Sequence, residues 1–450
     1  MVDRYFRVKN FVPEPFWRIQ VTQNRENIDV VFHWRRNRLF DRAVVTILFE
    51  RCIAAKLAKV TKVQEKPTKK WKPLPLTTVE LQKAATRFLR MNSQQAMTVA
   101  ESLYNKGFIS YPRTETDRFD KGMNLRALVE KQTPDNRWRP FAQNLVNGAF
   151  KQPREGRNDD KAHPPIHPVA YCAPGGLSNE EGRIYEFVTR RFLACCSDDA
   201  KGQATDVELD YGGECFHAHG LIILERNYLD VYPYDHWTNS TILPKFTLGE
   251  EFEPTEAMMT DGQTSAPGYL TEPDLIALMD ANGIGTDATM AEHITKIKER
   301  NYVFTRPRAG GGDENQGDDP PAAARGGHRG RGGRRGRGGR EGAASNGGGV
   351  EEFIPSTLGV ALVDGYDRME FETSLSKPFL RKEMELRMKA ICEGRTTRAV
   401  VMRDSLRQYK GVFLESKERS TVLKAVSYIA LQVFLDDANT IYCSLAGDIF

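Results

Sequence analysis

The chain has 450 residues, of which 40% are hydrophobic and 28% charged, and its formal net charge is +4. That length exceeds what one hydrophobic core organises, roughly 250–300 residues, so about two to four domains are expected. The longest apolar runs, such as Ala43–Phe49, fall far short of a membrane span, and the charged opening Met1-Val2-Asp3-Arg4 argues against a signal peptide, so an intracellular protein without membrane contact is expected. Seven cysteines form no Cys-x-x-Cys pair, which speaks against a zinc ribbon or a disulfide framework.

Along the chain, residues 11–35 alternate like strands (Trp17-Arg-Ile-Gln-Val21, Ile28-Asp-Val-Val-Phe-His-Trp34), and so do residues 204–260 (Thr205–Asp210, Leu221–Leu224). The two stretches are expected to pair across a helical insert. That insert opens at Thr77-Thr78-Val79-Glu80, the pattern of a capping box, followed by a helix with Leu81, Ala85, Phe88 and Leu89 on one side. A second helix is predicted from about Ser93, with Ala96, Val99, Ala100 and Leu103 inward and Gly107 at its C-terminal cap. Further on, Thr271-Glu-Pro-Asp274 starts a helix with Leu275, Ile276, Leu278 and Met279 on one face. Gly283 and Gly285 break it, and Thr286 or Asp287 can cap the next, which carries Ile294 and Ile297. This is helix-turn-helix in shape, a form that DNA-binding and other proteins share. Residues 306–349 lack apolar periodicity and are expected to be disordered. Within them Arg325–Arg340 holds seven arginines and no acid, which suits a non-specific nucleic-acid tether or a solvated linker.

The chemistry concentrates just past the second helix, in Phe108-Ile-Ser-Tyr111-Pro-Arg113-Thr114-Glu115-Thr116. A phenol is a weak nucleophile at neutral pH and needs neighbouring positive charge, which Arg113 can supply. Strand alternation puts residues two apart on the same side, so Tyr111 and Arg113 can meet one phosphate if the chain stays extended through Pro112. Taken alone, such a segment is more often only a turn. His163 and His167 have the i, i+4 spacing of metal ligands, but Pro164 and Pro165 prevent the helix that would align them. Lys161, and Lys66-Pro-Thr-Lys-Lys-Trp71-Lys72 with Trp71 available for stacking, are candidates for contact with a nucleic-acid backbone or simply a solvated face.

Gly107–Thr116 resembles the active-site signature of type IA DNA topoisomerases, and Asp280–His293 resembles their helix-turn-helix signature in its eukaryotic topoisomerase III form. Ala162–Pro168, Phe192–Cys196 and Asn227–Trp237 resemble the same family in the same order, over about residues 11–413. The resemblance implies a multidomain α+β fold, the toroidal type IA core. Its parts would be a β arch at 1–75 (with a remnant of the base at 1–10) and 200–267, and a helical, winged-helix-like tyrosine domain at 76–199. A helical base would occupy 268–305 and 350–413, interrupted by the Arg/Gly insert at 306–349, with 414–450 unassigned. It implies that Tyr111 and Arg113 are catalytic, through a 5′-phosphotyrosine. It also implies that His163, Lys161, Thr114, Glu115, Thr286 and Thr289 contact DNA.

The family's magnesium site uses a glutamate and an Asp-x-Asp motif in an N-terminal Toprim domain. This sequence contains no Asp-x-Asp, so the Toprim domain is expected to be missing, no metal ligand is expected on this chain, and Mg2+ is expected only in a complete enzyme. The resemblance further implies a nuclear protein acting on single-stranded or underwound DNA, with a RecQ-family helicase and an OB-fold accessory protein as partners. Two rivals remain open: a non-catalytic single-strand-binding protein and an RNA-directed factor, the latter suggested by the Arg/Gly segment.

Overall fold

A computed structural model describes residues 1–173, 175–237, 243–286, 289–308, 350–370, 376–422 and 425. The chain opens with helix α1 (Val2–Lys9), followed by strands β1 (Pro15–Arg25) and β2 (Ile28–Trp34). Glu26 and Asn27 both take positive φ, as a two-residue hairpin turn requires. Helix α2 (Arg42–Ala55) leads to β3 (Ala58–Lys70). The Ala43–Phe49 run forms the first half of α2, a helix its β-branched residues do not signal; the Asp41 side chain starts it by accepting the N–H of Val44.

After Lys70 the chain leaves the sheet for a helical unit and returns as β4 (Ala200–Tyr211), which pairs with β3 from Ala58↔Tyr211 to Lys70↔Ala200. Strands β5 (Glu214–Glu225), β6 (Glu251–Phe252) and β7 (Glu256–Gln263) complete a seven-stranded antiparallel sheet in the order β6-β3-β4-β5-β2-β1-β7. The two strand-rich stretches therefore do pair, through His33↔His217 and Trp34↔Phe216 and along β1 and β7. Alternate residues on one face, including Ile19, Val21, Phe32, Trp34, Leu209 and Phe216, bury together with Val45 and Cys52 of α2.

The helical unit consists of α3 (Thr78–Phe88), α4 (Ser93–Asn105), α5 (Leu125–Glu130), α6 (Arg139–Asn144) and α7 (Asn179–Cys195). Its core joins Leu81 and Ala85 to Ala96, Ala100 and Leu103 and to Ile184, Phe187 and Val188 of α7. Each large side chain fully buried there stabilises the unit by roughly 1.5–3 kcal/mol. Thr77 caps α3 by accepting the N–H of Glu80. The Glu80 carboxylate turns outward to Lys83, so the reciprocal half of a capping box is not made. Phe88, expected inward, is 40% exposed, and Leu89 takes the core position.

Beyond the sheet lie β8 (Leu270–Thr271), α8 (Glu272–Ala281), α9 (Met290–Glu299), β9 (Val303–Pro307), β10 (Glu351–Pro355), α10 (Thr357–Arg368), α11 (Phe379–Cys392) and α12 (Arg398–Glu418). Thr271 and Asp274 make both halves of a capping box. Ile276 and Met279 are buried while Leu278 is exposed, because the buried face of α8 is narrower than its apolar run. Strands β8, β10 and β9 form a small antiparallel sheet over a core of Ile276, Met290, Ile294, Val303 and Phe353. Arg306 and Pro307, expected in the disordered insert, pair with Glu352 and Glu351, and the Arg308 N–H reaches the Val350 carbonyl. The rest of that insert, 309–349, lies outside the described residues. Helix α12 continues past 413 to Glu418, and most of the tail expected at 414–450 is likewise outside them.

The helical unit meets this last unit where α3 lies against α8 and α4 against α9. Glu272, 4% exposed, accepts both the N–H and the hydroxyl of Ser93 at the start of α4, at 2.8 and 2.5 Å. Its other oxygen lies 3.6 Å from the Lys298 ammonium. Val79 packs onto the Ile276 core, and one turn along α3 the Gln82 side-chain amide is buried without a hydrogen-bond partner among the described residues.

Candidate active site

Helix α4 stops at Gly107, whose φ of +78° needs a residue without Cβ. The Gly107 and Phe108 N–H groups close onto the carbonyls of Tyr104 and Leu103. The chain then runs back beside the Pro165–Val169 segment: Ile109 bridges Pro168, the Ser110 N–H donates to the His167 carbonyl, and the His167 N–H donates to Ser110 Oγ. The following turn is stapled to the first residue of α3. Thr78 Oγ1 donates to the carbonyl of Pro112 at 2.7 Å and accepts the Thr114 N–H at 2.7 Å. This leaves Tyr111 between two fixed ends.

The Tyr111 ring sits between Tyr104, edge-on at 5.2 Å, and His163 at 4.7 Å. The Arg113 guanidinium reaches Glu101, with Nε donating to Oε1 at 2.7 Å and Nη2 2.5 Å from the same oxygen. Glu101 and Tyr104 are one turn apart on α4, so one helical face supports both the phenol and the guanidinium. His163 is held by Asp160, whose Oδ1 accepts its backbone N–H at 2.8 Å and whose Oδ2 lies 3.4 Å from Nδ1. Burial raises the Asp160 pKa, but hydrogen bonds from the backbone N–H groups of His163 and Ala162, together with Thr116 and Thr114, outweigh it and hold the value at about 2. Asp160 therefore stays a carboxylate through the neutral range. Beside His163 opens a cleft of about 600 Å³ lined by Arg118, Phe119, Lys121, Glu155 and Lys161, among others.

His163 and Lys161 line this cleft, Tyr111 packs on His163, Arg113 two residues along is held by Glu101, and Glu115 is exposed. Thr114 is different: it is 0% exposed and its hydroxyl donates to Asp160, so its side chain is turned into the loop. His167 diverges from His163. Its ring is buried against Phe119 and Phe192, with Nδ1 2.7 Å from the Pro165 carbonyl, and burial lowers its pKa. Thr286 and Thr289 sit in the turn between α8 and α9, where the Thr286 N–H donates to Thr289 Oγ1 at 2.9 Å and Thr289, not Thr286, occupies the N-cap position of α9. Asp287 lies outside the described residues. Glu101, Tyr104 and Asp160 were not singled out in the sequence. For the first two, the signal was their i, i+3 spacing in the last turns before the signature.

A phenol packed against an imidazole, with a guanidinium two residues on that is held by the preceding helix, sits in a helical unit inserted in an antiparallel sheet, the arrangement of the type IA topoisomerase class. A family model described as DNA topoisomerase matches residues 1–309, and the chain belongs to that family. It is 45% identical to DNA topoisomerase 3 of Schizosaccharomyces pombe over 94% of the chain and 62% of that protein. It is also 45% identical to human DNA topoisomerase 3-alpha, over 94% of the chain and 38% of that protein. The chain thus spans between 38% and 62% of the length of these two curated relatives. Among solved structures, full-length topoisomerase I of Thermotoga maritima superposes with a TM-score of 0.66 over 92% of this chain and 61% of that one, at 19% identity, a likeness of fold.

Glu101 offers a direct check on the geometry. In a cleavage-competent enzyme, Glu101→Ala should slow single-turnover cleavage by a factor on the order of 10–100 at nearly unchanged DNA affinity, because the guanidinium loses its anchor. Glu101→Gln, which keeps the acceptor, should recover part of the rate. Equal rates for all three would mean that Glu101 does not position Arg113.

Proposed function

We propose that this chain carries the tyrosine half of a type IA topoisomerase reaction on single-stranded or underwound DNA. Tyr111 Oη attacks a backbone phosphorus; the Oη–P bond forms as the P–O3′ bond breaks, leaving a 5′-phosphotyrosine and a 3′-oxygen that takes up a proton. The reverse step restores the strand. One phosphodiester replaces another, so no external energy is consumed. In this reading Arg113 offsets charge on the non-bridging oxygens, and His163, beside the phenol, binds the same backbone. The observation that carries this reading is the packing of the Tyr111 ring on His163, with Arg113 two residues along and held by Glu101.

Magnesium enters through the resemblance to type IA enzymes. Among the described residues no group of three or more His, Cys, Asp or Glu side chains fits a metal ion, so no step is assigned to it here. Lys161 and Glu115 flank the same strand in this proposal, Thr286 and Thr289 contact DNA from the base, and the Arg325–Arg340 segment tethers nucleic acid by counterion release. A nuclear location, relaxation or decatenation in recombination and repair, and a RecQ-family helicase with an OB-fold protein as partners complete the proposal. The family membership disfavours a purely non-catalytic binder.

The test uses a cleavage-competent enzyme and oligonucleotides labelled at either end. The label on the 3′ side of the break should become covalently attached through a 5′-phosphate, and the other fragment should end in a 3′-hydroxyl. Attachment to the opposite fragment would overturn the assignment. Ribo-oligonucleotides run in parallel decide whether RNA is also cleaved.

A further inference from the structure

Between the end of β3 and the helical unit, Trp71 is 55% exposed. Among the described residues no aromatic ring packs on it; instead Lys69 Nζ lies 4.0 Å from its centroid and Arg154 Cζ 5.2 Å. The backbone on both sides is fixed. Lys70 pairs with Ala200, and the Lys72 N–H donates to Asp199 Oδ1 at 3.0 Å while its buried ammonium donates to the carbonyls of Gln152 and Ser197 at 2.7 and 2.6 Å. Arg154 Nη1 also donates to the Lys72 carbonyl at 2.9 Å. The indole is therefore presented to solvent from a rigid support, a pre-organised arrangement that limits the entropy lost on binding.

Arg154 also begins the segment that ends at the nucleophile. Its neighbour Glu155 lines the cleft beside His163, the Gly156 N–H donates to the Asp117 carbonyl, and a Cβ on Gly156 would lie 2.1 Å from the Asp117 carboxylate. The segment is thus packed without clearance onto the chain that follows Tyr111. Both cations lie over the ring, and Lys69 also lies 3.6 Å from Asp199; an exposed ring covered only by long cationic side chains can receive an unpaired base as those cations move to the flanking phosphates. A protein-docking surface would instead set such a ring among apolar neighbours.

We propose that Trp71, with Lys69 and Arg154, is a stacking site for one unpaired base of the DNA strand engaged at Tyr111. It rests on the reading that the chain binds single-stranded DNA, and the test separates the two. Titrate the 450-residue chain, at fixed low salt, with a fluorescent oligo-dT and with an abasic strand of the same length and charge, and follow anisotropy. The wild type should prefer oligo-dT, Trp71→Ala should weaken oligo-dT binding about tenfold while barely changing the abasic strand, and Trp71→Phe should recover part of the loss. Circular dichroism checks that each variant is folded. Failure of the wild type to bind either strand would overturn the DNA-binding reading itself. Wild-type binding with Trp71→Ala within twofold on oligo-dT would overturn the stacking site alone, as would equal losses on both strands.

Discussion

Replacing Tyr111 by Phe is expected to remove covalent capture of DNA by a cleavage-competent enzyme, by a factor on the order of 10⁵–10⁶, while single-strand affinity changes by less than about twofold. The phenyl ring keeps both of its packing partners, Tyr104 at 5.2 Å and His163 at 4.7 Å, so neither the loop nor the neighbouring cations need move. Only the attacking oxygen is lost. Denaturing gels of enzyme mixed with labelled oligonucleotide measure the adduct, and anisotropy measures binding. A normal adduct yield from the Phe variant would remove Tyr111 as the nucleophile; a large loss of binding would mean that the hydroxyl also holds the ground state.

The second large effect is expected where the helical unit meets α8. Glu272→Ala removes the acceptor of two Ser93 donors inside a contact where both residues are almost fully buried. A buried carboxylate that accepts two hydrogen bonds is costly to delete, because both Ser93 donors stay behind unpaired while Lys298 keeps Glu351 at 3.6 Å; about 1–3 kcal/mol is typical for each orphaned donor. The loss should appear as faster hydrogen exchange at the Ser93 amide and along the start of α4, with the β3–β4 pairing unaffected. Gln82→Leu should act in the other direction, since it replaces a buried amide that has no partner among the described residues with an apolar side chain of similar size. If exchange at Ser93 is the same in the wild type and in Glu272→Ala, the carboxylate does not hold this contact.

Much of this arrangement was legible in the sequence where local rules and tertiary packing agree. The strands around Trp17 and Ile28 follow strict alternation, and the capping residues Thr77 and Thr271 mark the starts of α3 and α8. Helix α2 was not legible, since Ala43–Phe49 has the β-branched look of a strand and only the Asp41 cap and the packing of Val45 and Cys52 turn it into a helix. The site divided in the same way. Tyr111, Arg113 and His163 are carried by compact motifs, whereas Glu101 and Asp160 act through contacts that depend on how α4 and the 150s segment fold back. Thr114, for which the resemblance implied contact with DNA, is buried instead, its backbone N–H on Thr78 and its hydroxyl on Asp160. Arg306 and Pro307 were assigned to the Arg/Gly insert by composition, which cannot register that β10, far along the chain, supplies them with a pairing partner.

The pairing of Lys70 with Ala200 means that residues 71–199 depart from and rejoin the sheet at adjacent points of one ladder. Their hydrophobic core is separate from that of the sheet, and the segment after β5 closes it with Tyr228, Leu229, Val231 and Tyr232. Such a segment has the form of a guest inserted into a host, with its two ends close enough for a short turn to bridge either side of the cut. A chain in which β3 runs straight into β4 should fold as an uninterrupted hairpin, and the excised segment, joined end to end, is a candidate for circular permutation. Tyr111 thus sits on an insertion whose two ends meet at one point of the sheet, while the strand order of the sheet runs on without it.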